Sequence, residues 1–79
     1  MYLTFDLDVL DPAFAPGVSH HEPGGLSVRD VLGVLSRSSA LRIVGADVVE
    51  LNPTRDPVGT TAAVAVKLVT EFAARLLRD

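Results

Sequence analysis

The 79-residue sequence contains no cysteine and no tryptophan, a single tyrosine, a single methionine, and Lys67 as its only lysine. Without cysteine there is no disulfide framework, no thiolate nucleophile and no sulfur ligand for zinc. A chain this short must then hold together by packing alone, near the lower size at which packing suffices. Long apolar runs are also missing. No charge-free stretch exceeds ten residues, the length from Pro57 to Val66, about half of what a membrane-spanning helix needs. Asp6, Asp8 and Asp11 interrupt the apolar N-terminus and remove any secretory signal pattern. No basic block occurs, so neither nucleic acid nor a membrane is an expected partner, and the expected compartment is the cytoplasm. What remains is 48% hydrophobic and 22% charged with a formal net charge of −3, the balance of a packed chain rather than a disordered one.

Positive charge is absent from residues 1–25, which hold Asp6, Asp8, Asp11 and Glu22 and neither Lys nor Arg. Close carboxylate pairs repel by about 1 kcal/mol each in water, and by more when partly buried. A bound cation is the simplest compensation; a solvated acidic loop is the plain alternative.

Tyr2 to Asp8 alternates as a short strand, with Leu3, Phe5 and Leu7 on one face and Thr4, Asp6 and Asp8 on the other. Residues 9–26 carry Pro12, Pro16, Gly17, Pro23, Gly24 and Gly25, so they form a long loop, anchored by Phe14 and Val18. Gly24 and Gly25 serve either a positive φ or a close backbone approach. Ser27-Val-Arg-Asp30 is a capping-box variant that opens a helix over about 27–38, with Val28, Val31, Leu32 and Leu35 on one stripe. The nearly continuous apolar run over about 42–50 predicts a strand buried on both faces, and Asp47 within it needs a hydrogen-bond or ionic partner. A last helix is expected over about 60–78, with Ala62, Ala65, Val66, Val69, Ala73 and Leu76 facing inward and Leu68, Phe72 and Leu77 widening that face. Arg55 and Asp56 read as a subunit contact or a surface ion pair. The order is βαβα, an α/β unit with parallel strands. Two strands leave both sheet edges open, so the sequence has the pattern of a slice of a larger sheet.

Ligands of parallel α/β sheets bind beyond the carboxyl ends of the strands. Asp6 and Asp8 end the first strand and Glu50 ends the second. Strand periodicity sets Asp6 and Asp8 on one face with Cα atoms about 7 Å apart, a pair of hard oxygen donors suited to Mg²⁺ or Mn²⁺. Capping of a strand end is the alternative. The apolar-Asp-x-Asp pattern also resembles the first motif of haloacid-dehalogenase-type phosphatases, but Val9-Leu10 stands where that family has a small pair.

A broader resemblance covers almost the whole chain. Phe5-Asp-Leu-Asp-Val-Leu-Asp-Pro-Ala-Phe-Ala-Pro-Gly17, Glu22-Pro-Gly-Gly-Leu26 and Val44-Gly-Ala-Asp-Val-Val-Glu-Leu-Asn-Pro53 resemble, in that order, the C-terminal third of the ureohydrolases, the arginase and agmatinase family. The resemblance implies a βαβα portion of a three-layer, parallel-sheet arginase-like fold, residues 1–79 being the C-terminal part of one domain whose N-terminal two-thirds lie outside the chain. It implies two Mn²⁺ ions, with Asp6 bridging them and Asp8 binding one. Glu50 would face a guanidino substrate of the arginine or agmatine type, which is hydrolysed to an amine and urea. The physical logic agrees: paired cations lower the pKa of a shared water, and a carboxylate orients a guanidinium through charge-assisted hydrogen bonds.

Asp11, before Pro12, caps a turn or supports the metal site from behind. His20 and His21 line the loop or face solvent; a role for His20 behind the ligands is the alternative. The Gly-Gly-Asp-His and Asp-Ala-His-x-Asp segments that carry the family's other ligands do not occur in this sequence. The expectation is therefore a chain that is inactive alone, from a parent that forms trimers or hexamers. The competing reading is a non-enzymatic module that docks its open edges onto a partner or a second copy.

Overall fold

The computed structural model describes residues 1–78. Strand β1 (Tyr2–Asp6), helix α1 (Val28–Arg37), strand β2 (Gly45–Val49) and helix α2 (Thr60–Arg78) follow in the expected order. The strands pair in parallel, Tyr2 opposite Gly45 through Asp6 opposite Val49. Strand alternation sends Leu3, Phe5, Ala46 and Val48 to one face, where they join a core of Leu7, Leu10, Ala15, Val18, Val31, Leu68 and Phe72. The rings of Phe5 and Phe72 meet edge to face with centroids 6.0 Å apart, fixing α2 to β1.

Each element starts and stops for a local reason. Ser27 Oγ accepts from Asp30 N while the Asp30 carboxylate accepts from Ser27 N, the reciprocal capping box that the sequence predicts. Helix α2 is opened by a residue the sequence reading placed elsewhere. The Asp56 carboxylate accepts from Thr61 N at 2.8 Å and Ala62 N at 2.9 Å, so Asp56 caps this helix rather than pairing with Arg55. Arg75, buried in α2, donates to the carbonyls of Leu35, Ser38 and Leu41 and thereby satisfies the end of α1 and the turn after it.

Four expectations need correction. First, β1 stops at Asp6, and Leu7–Val9 form a 3₁₀ turn that puts Leu7 in the core. Second, β2 is half-buried rather than enclosed, because both helices pack on one face of the two-stranded sheet. Its other face carries Tyr2, Thr4 and Asp47, where the Asp47 carboxylate accepts from Thr4 Oγ1 at 2.6 Å and Tyr2 Oη at 3.1 Å. Third, the buried stripe of α2 is Thr61, Leu68, Phe72 and Arg75, while Val66, Val69 and Leu77 are exposed. Fourth, Ala15 and Val18 anchor the long loop, with Phe14 outside.

Candidate metal and guanidinium site

The site is built at the carboxyl end of the sheet, from the tip of β1 and the residue after β2. Asp6 is the last residue of β1, and its Oδ1 accepts the backbone N–H of Asp8 at 3.0 Å. The two residues are therefore joined by a tight turn capped by Asp6, not by strand alternation.

The Asp8 pKa is raised above the ordinary carboxylate value, first by a hydrogen bond to the Asp6 carboxyl, then by burial, and then by the negative charges of Asp6 and Glu50. His20 acts on Asp8 in the opposite direction. Asp6, Asp8, Glu50 and His20 thus share one electrostatic neighbourhood. Glu50 is exposed and holds φ at +75°, a left-handed backbone that a non-glycine residue takes only when its surroundings impose it. That turn carries Glu50 off the end of β2 and into the loop beyond.

A divalent cation fits this donor chemistry in part. Two hard, mutually repelling carboxylates gain from a shared cation. Among the described residues, however, no group of three or more His, Cys, Asp or Glu side chains could hold a metal ion. Asp6 and Asp8 are a partial set, and the other coordination positions need donors from elsewhere.

The remaining candidates shape the loop. Asp11 Oδ1 accepts from Ala13 N and Oδ2 from Gly24 N, both at 2.9 Å. These bonds, with a further one from Gly25, hold the Asp11 pKa below the ordinary value. Asp11 therefore closes the loop on itself. A parallel bridge between Leu10 and Leu26 seals the same neck. Gly24 has φ +88°, whereas a Cβ on Gly25 would lie 2.6 Å from Val9 O, so each glycine answers one of the two needs foreseen. His21 Nε2 sits 2.6 Å from Pro16 O and is turned into the loop. The sequence reading missed Asn52, whose backbone N–H donates to Gly17 O at 2.6 Å and whose Nδ2 donates to Ser19 Oγ at 3.1 Å. The Asn-Pro-Thr spacing signals an Asx turn, but nothing in it announces the partner loop.

A model of the arginase family matches residues 1–74. The chain is 64% identical over 77 residues to the mitochondrial arginase 1 of Arabidopsis thaliana, covering 96% of this chain and 22% of that protein. The arginase structure from Medicago truncatula superposes with a TM-score of 0.87 at 58% identity, over 95% of this chain and 24% of that one. Proclavaminate amidinohydrolase from Streptomyces clavuligerus gives a TM-score of 0.78 at 46% identity, over 96% of this chain and 24% of that one. The chain thus spans less than a quarter of the length of these proteins. The phosphatase-like reading of the first strand is left without support by these matches. From the strand-tip carboxylates to the last helix, the chain belongs to the arginase family.

Proposed function

We propose that these residues supply the C-terminal part of a ureohydrolase domain that hydrolyses a guanidino compound to an amine and urea. The observation that carries this reading is the register of the two parallel strands, which sets Asp6 opposite Val49 and so brings Asp6, the turn to Asp8 and Glu50 to the same carboxyl end of the sheet. Asp6 and Asp8 would hold the manganese ions. When bound, such ions lower the pKa of water to near neutrality, which makes it a nucleophile for a planar carbon.

The chain's own residues do the rest. Glu50 accepts hydrogen bonds from the guanidinium and fixes its plane, with the carbon turned toward the strand tip. Addition of water at that carbon and cleavage of one C–N bond release urea and the amine, which carries away the transferred proton. Asp11 keeps the loop around the site closed, and His20 brings a titratable ring into the neighbourhood.

Among the described residues Asp6 and Asp8 belong to no group of three or more side chains that could hold a metal ion, so the 79-residue chain by itself is expected to be inactive. Incubating it with Mn²⁺ and arginine or agmatine should give no urea above background; metal-dependent turnover would refute this. The activity itself is tested by replacing the matching segment of the Medicago truncatula arginase with these residues. A folded chimaera that releases urea with Mn²⁺, and loses this on Asp6→Asn, supports the reading; a folded but inert one defeats it.

A further inference from the structure

The site described above lies between two loops, residues 9–26 and residues 50–59, that are far apart in the chain. What sets their separation is a short run of contacts away from the carboxylates. Asn52 N–H donates to Gly17 O at 2.6 Å, and Gly17 N–H donates to Thr61 Oγ1 at 2.7 Å, so both backbone groups of Gly17 are bound to the far side. Asn52 Nδ2 adds a bond to Ser19 Oγ at 3.1 Å, directly before His20. The Asn52 Oδ1 atom, for its part, accepts from Thr54 N and Thr54 Oγ1, which fixes the amide so that its donor end faces the other loop. Gly17 and Thr61 are both buried, and a Cβ on Gly17 would come within 2.6 Å of Asp56 Cβ and 2.9 Å of Thr61 Cβ. The approach is as close as a backbone can make it.

We propose that Asn52 is a positioning residue for guanidinium recognition, latching Gly17 and Ser19 so that His20 and Glu50 face the Asp6–Asp8 pair from fixed places. The inference rests on the ureohydrolase reading, and it goes beyond it by giving a role to a side chain that touches neither metal ligands nor substrate. Three bonds across the junction, two of them to the backbone of a residue that admits no side chain, leave little freedom for one loop to move without the other. Asn52 is two residues from Glu50, whose left-handed backbone has few ways to shift alone. Loss of the latch should therefore misplace Glu50 relative to the loop and weaken substrate binding more than the chemical step.

The test uses the chimaera with the Medicago truncatula arginase and the variants Ser19→Ala and Asn52→Ala. Ser19 is exposed, so its variant removes one contact with no cavity. Each variant should raise KM for arginine about threefold to tenfold, the scale of one lost hydrogen bond, with kcat within about twofold. Combining the two should cost no more than Asn52→Ala alone, because both break the same bond. Amide hydrogen exchange over residues 17–21 should quicken in both variants. Unchanged exchange overturns the latch, and unchanged KM with quickened exchange overturns its role in recognition. A fall in melting temperature with KM preserved would mark a merely structural contact and also overturn the proposal. If the unsubstituted chimaera is folded yet inert with Mn²⁺, the ureohydrolase reading fails instead, and the exchange measurement still decides the latch.

Discussion

The carboxylate of Asp11 accepts the backbone N–H of Gly24 at 2.9 Å, so one side chain ties together the two ends of the long loop. Its second oxygen accepts from Ala13 N, which makes Asp11 a turn former and a clasp at once. Asp11→Ala should leave Ala13 and Gly24 without their acceptor. Amide exchange at those two positions is expected to quicken, while the amides of α1 and β2 keep their protection. Asp11→Asn, which retains one acceptor oxygen, should fall between the two. Equal protection in all three proteins would show that the bridge between Leu10 and Leu26 closes the neck unaided.

Acid should weaken the fold through three aspartates. Asp11, Asp30 and Asp56 all have pKa values below the ordinary carboxylate value, because their carboxylates accept backbone N–H groups of Ala13, Ser27 and Thr61 respectively. A carboxyl with a lowered folded pKa contributes stability that is fully present above its unfolded value, about 4, and is lost as pH falls through the lowered one. Stability measured by denaturant titration should therefore be level in this respect at neutral pH and decline below about pH 4. Asp30→Asn with Asp56→Asn should flatten that decline. An equally steep decline in the double variant would show that other groups control it.

How far the sequence reveals the fold depends on whether the signal is local. The capping box at Ser27 and Asp30, the start of α2 near Thr60 and the strand pairing were legible because they follow from short-range chemistry. The end of β1 was not: Asp6 can cap a 3₁₀ turn as well as continue a strand, and only the burial of Leu7 chooses between them. Asp56 was misread because a cap normally stands next to its helix, whereas this one reaches Thr61 and Ala62 across a turn with Gly59 at φ +76°. The candidate carboxylates stand in a motif of adjacent residues, while Asn52 was invisible because its partners lie 33 and 35 residues earlier in the chain.

The face that α2 buries was misjudged for a reason that can be tested. Apolar residues occur nearly all round this helix, so periodicity alone does not choose among the stripes. The structure places Leu68 at 0% exposure and Val69 at 53%. Leu68→Ala should cost about 2–5 kcal/mol, the range for an emptied core site, measured by denaturant unfolding. Val69→Ala should stay within about 0.5 kcal/mol. The reverse order would put Val69 rather than Leu68 in the core.

Glu50 combines a strained backbone with the charge that the proposed substrate needs, and two substitutions separate these properties. At φ +75° a glycine is at ease where a glutamate is not. Glu50→Gly should therefore stabilise the chain by about 1 kcal/mol, the scale of one such backbone outlier, while deleting the carboxylate. Glu50→Gln should leave stability nearly unchanged, because it keeps the Cβ and the strain. In the chimaera both variants are expected to lose arginine turnover, since neither carries the negative charge that orients a guanidinium. If Glu50→Gly proves both active and no more stable, the left-handed turn is not strained and the carboxylate is not what holds the substrate.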